Sequence, residues 1–347
     1  MNWPTPGILA RSCKRVILTG ASGLVGAACL RHLIASGHEV VAIHHKHPPA
    51  LPAGWPNDGS RLLCQDLTDL DALTSRVLEE FPDLILNAAA ISQPAEVEAD
   101  PVLAEKINVA LPRRLAQLAN HLSARLFHLS TDMVFDGQSG PFRSTDRPNP
   151  TNLYGQTKLL AEREVLREGA AHSLVLRITL VTGNSPGGRR SVHEKLFEAW
   201  SQGKTAQLFT DEQRQPVSAD NVAELLTELI DRPNLSGLFH WAGAETLSRF
   251  AIGQRIVQHF GLSESLIAPV ELKAIPECAN RPADLRLELQ PLLSKIKVRP
   301  ADFGEQLAAM SVPDPFLPWY QAQAPADNGP DRSGAPPLRR FVRGQDF

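Results

Sequence analysis

The chain has 347 residues, 43% hydrophobic and 21% charged, a globular composition with enough apolar side chains for one large α/β domain or two modest ones. Thirty-five Lys and Arg face 38 Asp and Glu, so the net charge is −3 and the basic excess of a nucleic-acid binder is missing. The four cysteines, Cys13, Cys29, Cys64 and Cys278, lack the paired spacing of a zinc cage or dithiol, and no run is apolar enough for a leader or a bilayer span, so a cytoplasmic setting with no membrane partner is expected.

After about a dozen irregular residues, Arg15–Thr19 is a short β-rich apolar run, and Leu24–Gly37 follows with helical spacing that closes on Gly37 as a C-cap. Glu39–Ile43 restores a strand pattern and completes one βαβ unit. The alternation continues through Arg61–Cys64, a helix from about Asp69 to Glu80, Asp83–Asn87, a helix begun by Asp100-Pro101, and Ala124–Ser130. Such alternation predicts a doubly wound parallel sheet covered on both faces, a Rossmann domain over residues 13–180. A helix from Leu153 to about Glu168 leads into the strand Ser173–Val181, after which the pattern loosens into a smaller substrate-binding portion, 181–312. Within it, helices are read at His193–Ser201, Asn221–Asp231 and Ser248–Phe260, and the strand-length run Gly237–Trp241 is a candidate to return to the first sheet. Residues 313–347, rich in Pro, Gly and Asp, are expected to be a disordered tail.

Between the first strand and helix, Gly20, Gly23 and Gly26 stand three residues apart, with Ser22, Leu24 and Val25 among them. A pyrophosphate must approach the backbone N–H groups at a helix N-terminus, and a Cβ on the loop would collide with it, so this spacing points to a dinucleotide. The second strand ends without the acid that usually holds an NAD ribose. It exits instead into His44-His45-Lys46-His47, which either suits the 2′-phosphate of NADP or is a solvated basic turn. NADP(H) is the expected cofactor, with NAD(H) the alternative. Asp66, beside Leu67, either accepts from an adenine amino group or caps the next helix.

The chain has two tyrosines, and one of them, Tyr154, is followed four residues later by Lys158. On a helix these share a face, so a Lys158 ammonium can favour the ionised phenol, and such a tyrosine is a competent acid toward a carbonyl receiving hydride. Ser130 and Thr131 end the preceding strand at the carboxyl edge of the sheet, where one hydroxyl can hold a substrate oxygen.

In this order TGASGLVG, Asp66, Asn87-Ala88-Ala89-Ala90, Asn108, Ser130-Thr131 and Tyr154-x-x-x-Lys158 resemble the extended short-chain dehydrogenase/reductase family. More narrowly, His128–Gly137, Asn149–Glu162, Leu176–Gly183, Gln213–Leu226 and Arg281–Glu288 are similar to the dTDP-4-dehydrorhamnose reductase branch. The resemblance implies an NAD(P)H-dependent reductase of a nucleotide-linked 4-keto-6-deoxyhexose. Tyr154 would be the acid, Lys158 would bind the nicotinamide ribose and lower the tyrosine pKa, and Thr131 would complete the catalytic set. Asn87, Ala88 and Ala89 would line the cofactor cleft. Arg214 and Arg281 match motifs whose basic residues hold the substrate diphosphate, or else they form salt bridges. A nucleotide sugar is the implied small-molecule partner, and a homodimer is compatible with the pattern. Two departures, Asp132-Met133 in place of Asp-Tyr and Ile91–Glu96 in place of a Tyr- and Lys-bearing segment, fall where the sugar should sit. A relative of this branch, the regulatory subunit of methionine adenosyltransferase, keeps the dinucleotide fold and works by binding a partner, so a non-catalytic NADP-binding regulator is the second reading.

Overall fold

A computed structural model describes residues 13–51, 55, 60–169, 171–278 and 281–323. Seven parallel strands form the central sheet: β1 (Arg15–Thr19), β2 (Glu39–His44), β3 (Arg61–Cys64), β4 (Leu84–Asn87), β5 (Arg125–Thr131), β6 (Ser173–Ile178) and β7 (Gly237–Trp241). Their order is β7-β6-β5-β4-β1-β2-β3, so the direction of winding reverses between β1 and β4. Ligands of such sheets bind at the carboxyl ends of the strands beside that reversal.

The strands form because their apolar runs alternate between two covered faces. Val16 and Leu18 of β1 join one core with Leu30 and Leu33 of α1 (Leu24–Ala35), while Ile17 joins the opposite core with Leu73 and Val77 of α2 (Leu70–Glu80) and Leu115 of α3 (Leu111–Leu122). Each fully buried Leu or Ile contributes roughly 1.5–3 kcal/mol. On the α2 and α3 side, Val165 of α4 (Leu153–Gly169) completes the layer. A third core holds α5 (Val192–Ser201) and α7 (Arg249–His259) together through Phe197, Trp200, Ile252 and Ile256.

Two stretches of the 181–312 segment belong to the first sheet rather than to the smaller lobe. Strand β7 pairs with β6 from Gly237 opposite Leu174 to Trp241 opposite Ile178, and α6 (Ala219–Ile230) packs Leu225, Leu226 and Leu229 into the core of α1. The strand read as Ser173–Val181 stops at Ile178; Val181 and Thr182 pair instead with Val217 and Ser218. The helix begun by Asp100-Pro101 is interrupted. Asp100 caps Pro101–Glu105 by accepting from Leu103 N at 2.9 Å, a π-helical turn follows at Lys106–Ala110, and α3 continues from there.

The first part of the tail expected over 313–347 is ordered. Asp314–Phe316 form a 3₁₀ turn and Leu317–Gln323 a helix, with Trp319 and Tyr320 packed on Phe197 and the Tyr320 hydroxyl donating to Phe260 O at 3.0 Å. The aromatic pair gives this segment apolar area to bury, which its Pro-rich surroundings obscure. Residues 324–347 lie outside the described residues.

Candidate active site

A cleft of about 900 Å³ opens over the carboxyl ends of the strands, between the sheet and the smaller lobe. Its floor on one side is the glycine loop. Gly20, Ser22, Gly23, Leu24 and Val25 line it, and Gly26 does not. A Cβ on Gly26 would stand 2.0 Å from Gly20 O, so this glycine serves the close packing of α1 on its own loop. Gly23 sits at the N-cap of α1 with no side-chain capping bond and no acid in the first turn. The first N–H groups of a 12-residue helix therefore meet the cleft without an anionic partner from the helix itself, a fitting cradle for a phosphate.

The other predicted cofactor residues divide. His45, Leu67, Ala88 and Ala89 line the cleft, whereas Lys46, Asp66 and Asn87 do not. Lys46 is exposed beyond the end of β2. Asp66 turns back on its own loop, accepting from Thr68 N at 2.9 Å and Thr68 Oγ1 at 2.8 Å, bonds that lower its pKa. The helix cap offered as its other role belongs to Asp69, which accepts from Ala72 N at 3.0 Å. Asn87 is buried at the end of β4, bonded to Thr19 and His128, and shapes the cleft from beneath.

At the centre Tyr154, Thr131, Ser130 and Lys158 meet at the cleft wall. The first turn of α4 reaches them because Gly155 has no side chain: a Cβ there would lie 2.1 Å from Met133 O. Burial pushes the Tyr154 phenol well above its usual pKa, a hydrogen bond with Thr131 works against that shift, and the Asp132 carboxylate adds to it. Lys158 does not follow the expected pattern. Its Nζ donates to Leu129 O at 2.6 Å and lies 3.2 Å from His128 Nε2, and burial lowers its pKa to about 8 despite Glu162. The Lys158 nitrogen thus engages the end of β5, and the phenol's shifts come from burial, Thr131 and Asp132. Ser130 donates to Glu162 Oε1, and Glu162 in turn holds Arg177 in a buried ion pair. That bond commits the Ser130 proton to Glu162 and leaves its oxygen able only to accept.

The smaller lobe supplies a basic wall. Arg214 and Arg281 reach it, and so do Arg190, Lys195 and Arg249, which sequence reasoning missed. Glu212, fully buried, pairs with Arg214 at 2.8 Å, Arg249 at 2.9 Å and Arg281 at 3.2 Å. Burial alone would raise its pKa, but Arg249, Arg214 and Arg281 hold it down to about 2. Arg214 is deeply committed, donating also to Gln213 O and Pro282 O, while the Arg281 side chain is 45% exposed. Asp132, buried opposite this wall, is raised to about 6 by burial against the pull of Arg214, and its Oδ2 has no hydrogen-bond partner among the described residues. Met133, Ser92 and Gln93, from the two segments that depart from the reductase pattern, also line the cleft. No local signal marked Arg190, Lys195 or Arg249, since each reaches the wall from a helix or loop distant in sequence.

The family model of the RmlD substrate binding domain matches residues 14–313. The chain belongs to that family. Among curated relatives, methionine adenosyltransferase 2 subunit beta of Xenopus laevis is 33% identical over 264 residues, covering 74% of this chain and 75% of the relative. The "Probable low-salt glycan biosynthesis reductase Agl14" of Haloferax volcanii is 30% identical over 300 residues, 84% of this chain and 96% of that protein. A solved structure described as a hypothetical dTDP-4-dehydrorhamnose reductase from Sulfolobus tokodaii superposes with a TM-score of 0.71 at 28% identity, over 86% of this chain and 100% of that one. The family fold is thus present from end to end of the matched region, and the cleft lies where its two lobes meet.

Proposed function

We propose that the protein is an NAD(P)H-dependent reductase of a nucleotide-linked 4-keto-6-deoxyhexose. The observation that carries this reading is one cleft holding an uncapped helix N-terminus at one end, a buried Tyr154 with Thr131 and Lys158 in the middle, and a wall of arginines at the other. The crystallised Bacillus anthracis dTDP-4-dehydrorhamnose reductase, at 20% identity, was solved with NADP, which supports the choice of cofactor class. A bound nicotinamide would supply the hydride.

In this reading Gly20, Ser22, Gly23 and the first N–H groups of α1 hold the cofactor pyrophosphate, and His45 lies where a 2′-phosphate would meet a donor. Tyr154 keeps its proton because burial disfavours the phenolate, and it gives that proton to the oxygen of the carbonyl being reduced. Thr131 holds the phenol and the substrate oxygen in register. Arg281, with Arg249 and Arg214 braced by Glu212, faces the substrate diphosphate, for which guanidinium forks are well shaped. The sugar lies against Met133 and the Ser92-Gln93 segment, so these side chains select it.

The relatives named as methionine adenosyltransferase subunits support a second reading, a regulator that binds NADP and a partner without turnover. A panel of nucleotide 4-ketosugars with NADPH and NADH separates the two. Cofactor oxidation that depends on a ketosugar supports the reductase. Cofactor binding without turnover, with co-elution and altered rate of a methionine adenosyltransferase catalytic subunit, supports the regulator.

A further inference from the structure

Beneath the cleft a chain of buried side chains runs from β1 to α4: Thr19, Asn87, His128, Lys158. Its direction follows from the Ala89 backbone N–H, which can only donate. Ala89 N donates to Asn87 Oδ1 at 3.3 Å, and Thr19 Oγ1 donates to the same oxygen at 2.6 Å, so the amide oxygen faces them and Nδ2 faces His128. Asn87 Nδ2, a donor, lies 3.1 Å from His128 Nδ1, which must therefore accept. Burial keeps His128 uncharged, so its single proton sits on Nε2, and Nε2 faces Lys158 Nζ at 3.2 Å. An ammonium has three donors and no acceptor. Only the uncharged amine can accept from Nε2–H while donating to Leu129 O at 2.6 Å.

We propose that His128 is a positioning residue for Lys158, whose Nε2–H, oriented by Asn87, ends a one-way hydrogen-bond chain on the lysine lone pair and favours the amine over the ammonium. The surrounding charges agree. Glu162, one turn along α4, is the acid that favours the ammonium, but Arg177 of β6 engages both its oxygens at 2.6 and 2.9 Å and Ser130 of β5 donates to it as well. Asn108, in the π-helical turn packed on α4, is neutral and bonded to Ile91 and Thr157, and Tyr154 on α4 itself keeps its proton. Burial works in the same direction as the chain.

The test is nuclear magnetic resonance of the full chain labelled at histidine nitrogens and lysine Cε, the Lys158 signal being assigned by its loss in Lys158→Arg. Across neutral pH, His128 should carry its proton on Nε2, and Lys158 should titrate below the other lysines. His128→Phe removes the donor, and the Lys158 midpoint should then rise by about one pH unit, the scale of one lost hydrogen bond. A proton on Nδ1 of His128 overturns the proposal, as does a midpoint that stays or falls in the variant, since a fall would mean the imidazole accepts from an ammonium. Should the variant fail to fold, the wild-type tautomer decides alone. These readouts need neither cofactor nor turnover, so they stand apart from the reductase reading. The proposal rests on that reading only in its consequence, that NADPH affinity should weaken as pH rises through the Lys158 midpoint; a failure to bind NADPH would count against the reductase and leave the tautomer and midpoint to judge the chain.

Discussion

Tyr154 and Asp132 carry the sharpest expectations for single residues. Tyr154→Phe removes only the hydroxyl, so cofactor affinity should hold while turnover falls by about 10²–10⁴, the usual range for a lost general acid. Fluorescence titration with NADPH beside steady-state kinetics checks both halves, and undiminished turnover would exclude Tyr154 as the proton donor. Asp132 differs because its carboxyl is raised to about 6 in the fold. The native state then binds a proton that the unfolded chain has released between its ordinary value and about 6, so stability falls as pH rises through that window. Asp132→Asn cannot ionise. The stability of this variant relative to wild type should therefore improve by on the order of 1–3 kcal/mol between pH 4 and pH 8. Urea unfolding at the two pH values reads it, and a difference that does not change would mean that Asp132 is ionised and well paired in the fold. The tyrosine and lysine were legible because spacing of four on a helix is local. Where the lysine points was not, because Leu129 and His128 lie on a strand some thirty residues earlier.

Two elements set the shape of the cleft, the α1 turn and the arginine wall. Gly26→Ala would drive a methyl group into Gly20 O, and neither backbone segment can yield without moving the loop. The expected cost is roughly 1–3 kcal/mol or more, with a matching loss of NADPH affinity, measured by thermal unfolding and titration of the same sample. Full affinity in this variant would show that the loop does not hold the pyrophosphate. Glu212→Gln keeps the shape but removes the charge that three arginines share. Breaking a buried pair in this way costs about 3–5 kcal/mol. Because the Glu212 pKa is held down to about 2, its contribution is present above the ordinary carboxylate range and is lost as pH falls toward that value. The gap in stability between wild type and Glu212→Gln should accordingly narrow below about pH 4, and a constant gap would assign the loss to packing instead. Arg214 and Arg281 could be picked out through their motifs, but Arg249 opens a helix with nothing local to mark it.

For the whole molecule, the end of the fold is the point to test. A chain ending at residue 313 loses Trp319 and Tyr320 from the third core and should be about 2–4 kcal/mol less stable than one ending at 323, the scale of removing large aromatic contacts. Equal melting temperatures would mean that the Leu317–Gln323 helix adds no stability. The amino-acid sequence by itself determined the alternation of strands and helices, the glycine loop, the placing of Tyr154 and Lys158 on one helix face and the hydroxyls at the end of β5. All of these depend on spacing within a few residues, where backbone geometry leaves little choice. Only the tertiary structure decided that β7 returns to the sheet, that five cations from separate segments share one wall, that Asp66 and Lys46 stand outside the cleft, and that Lys158 lies against His128. Those outcomes depend on which distant segments meet, and the local period of apolar residues does not carry that information, because many pairings bury the same side chains equally well.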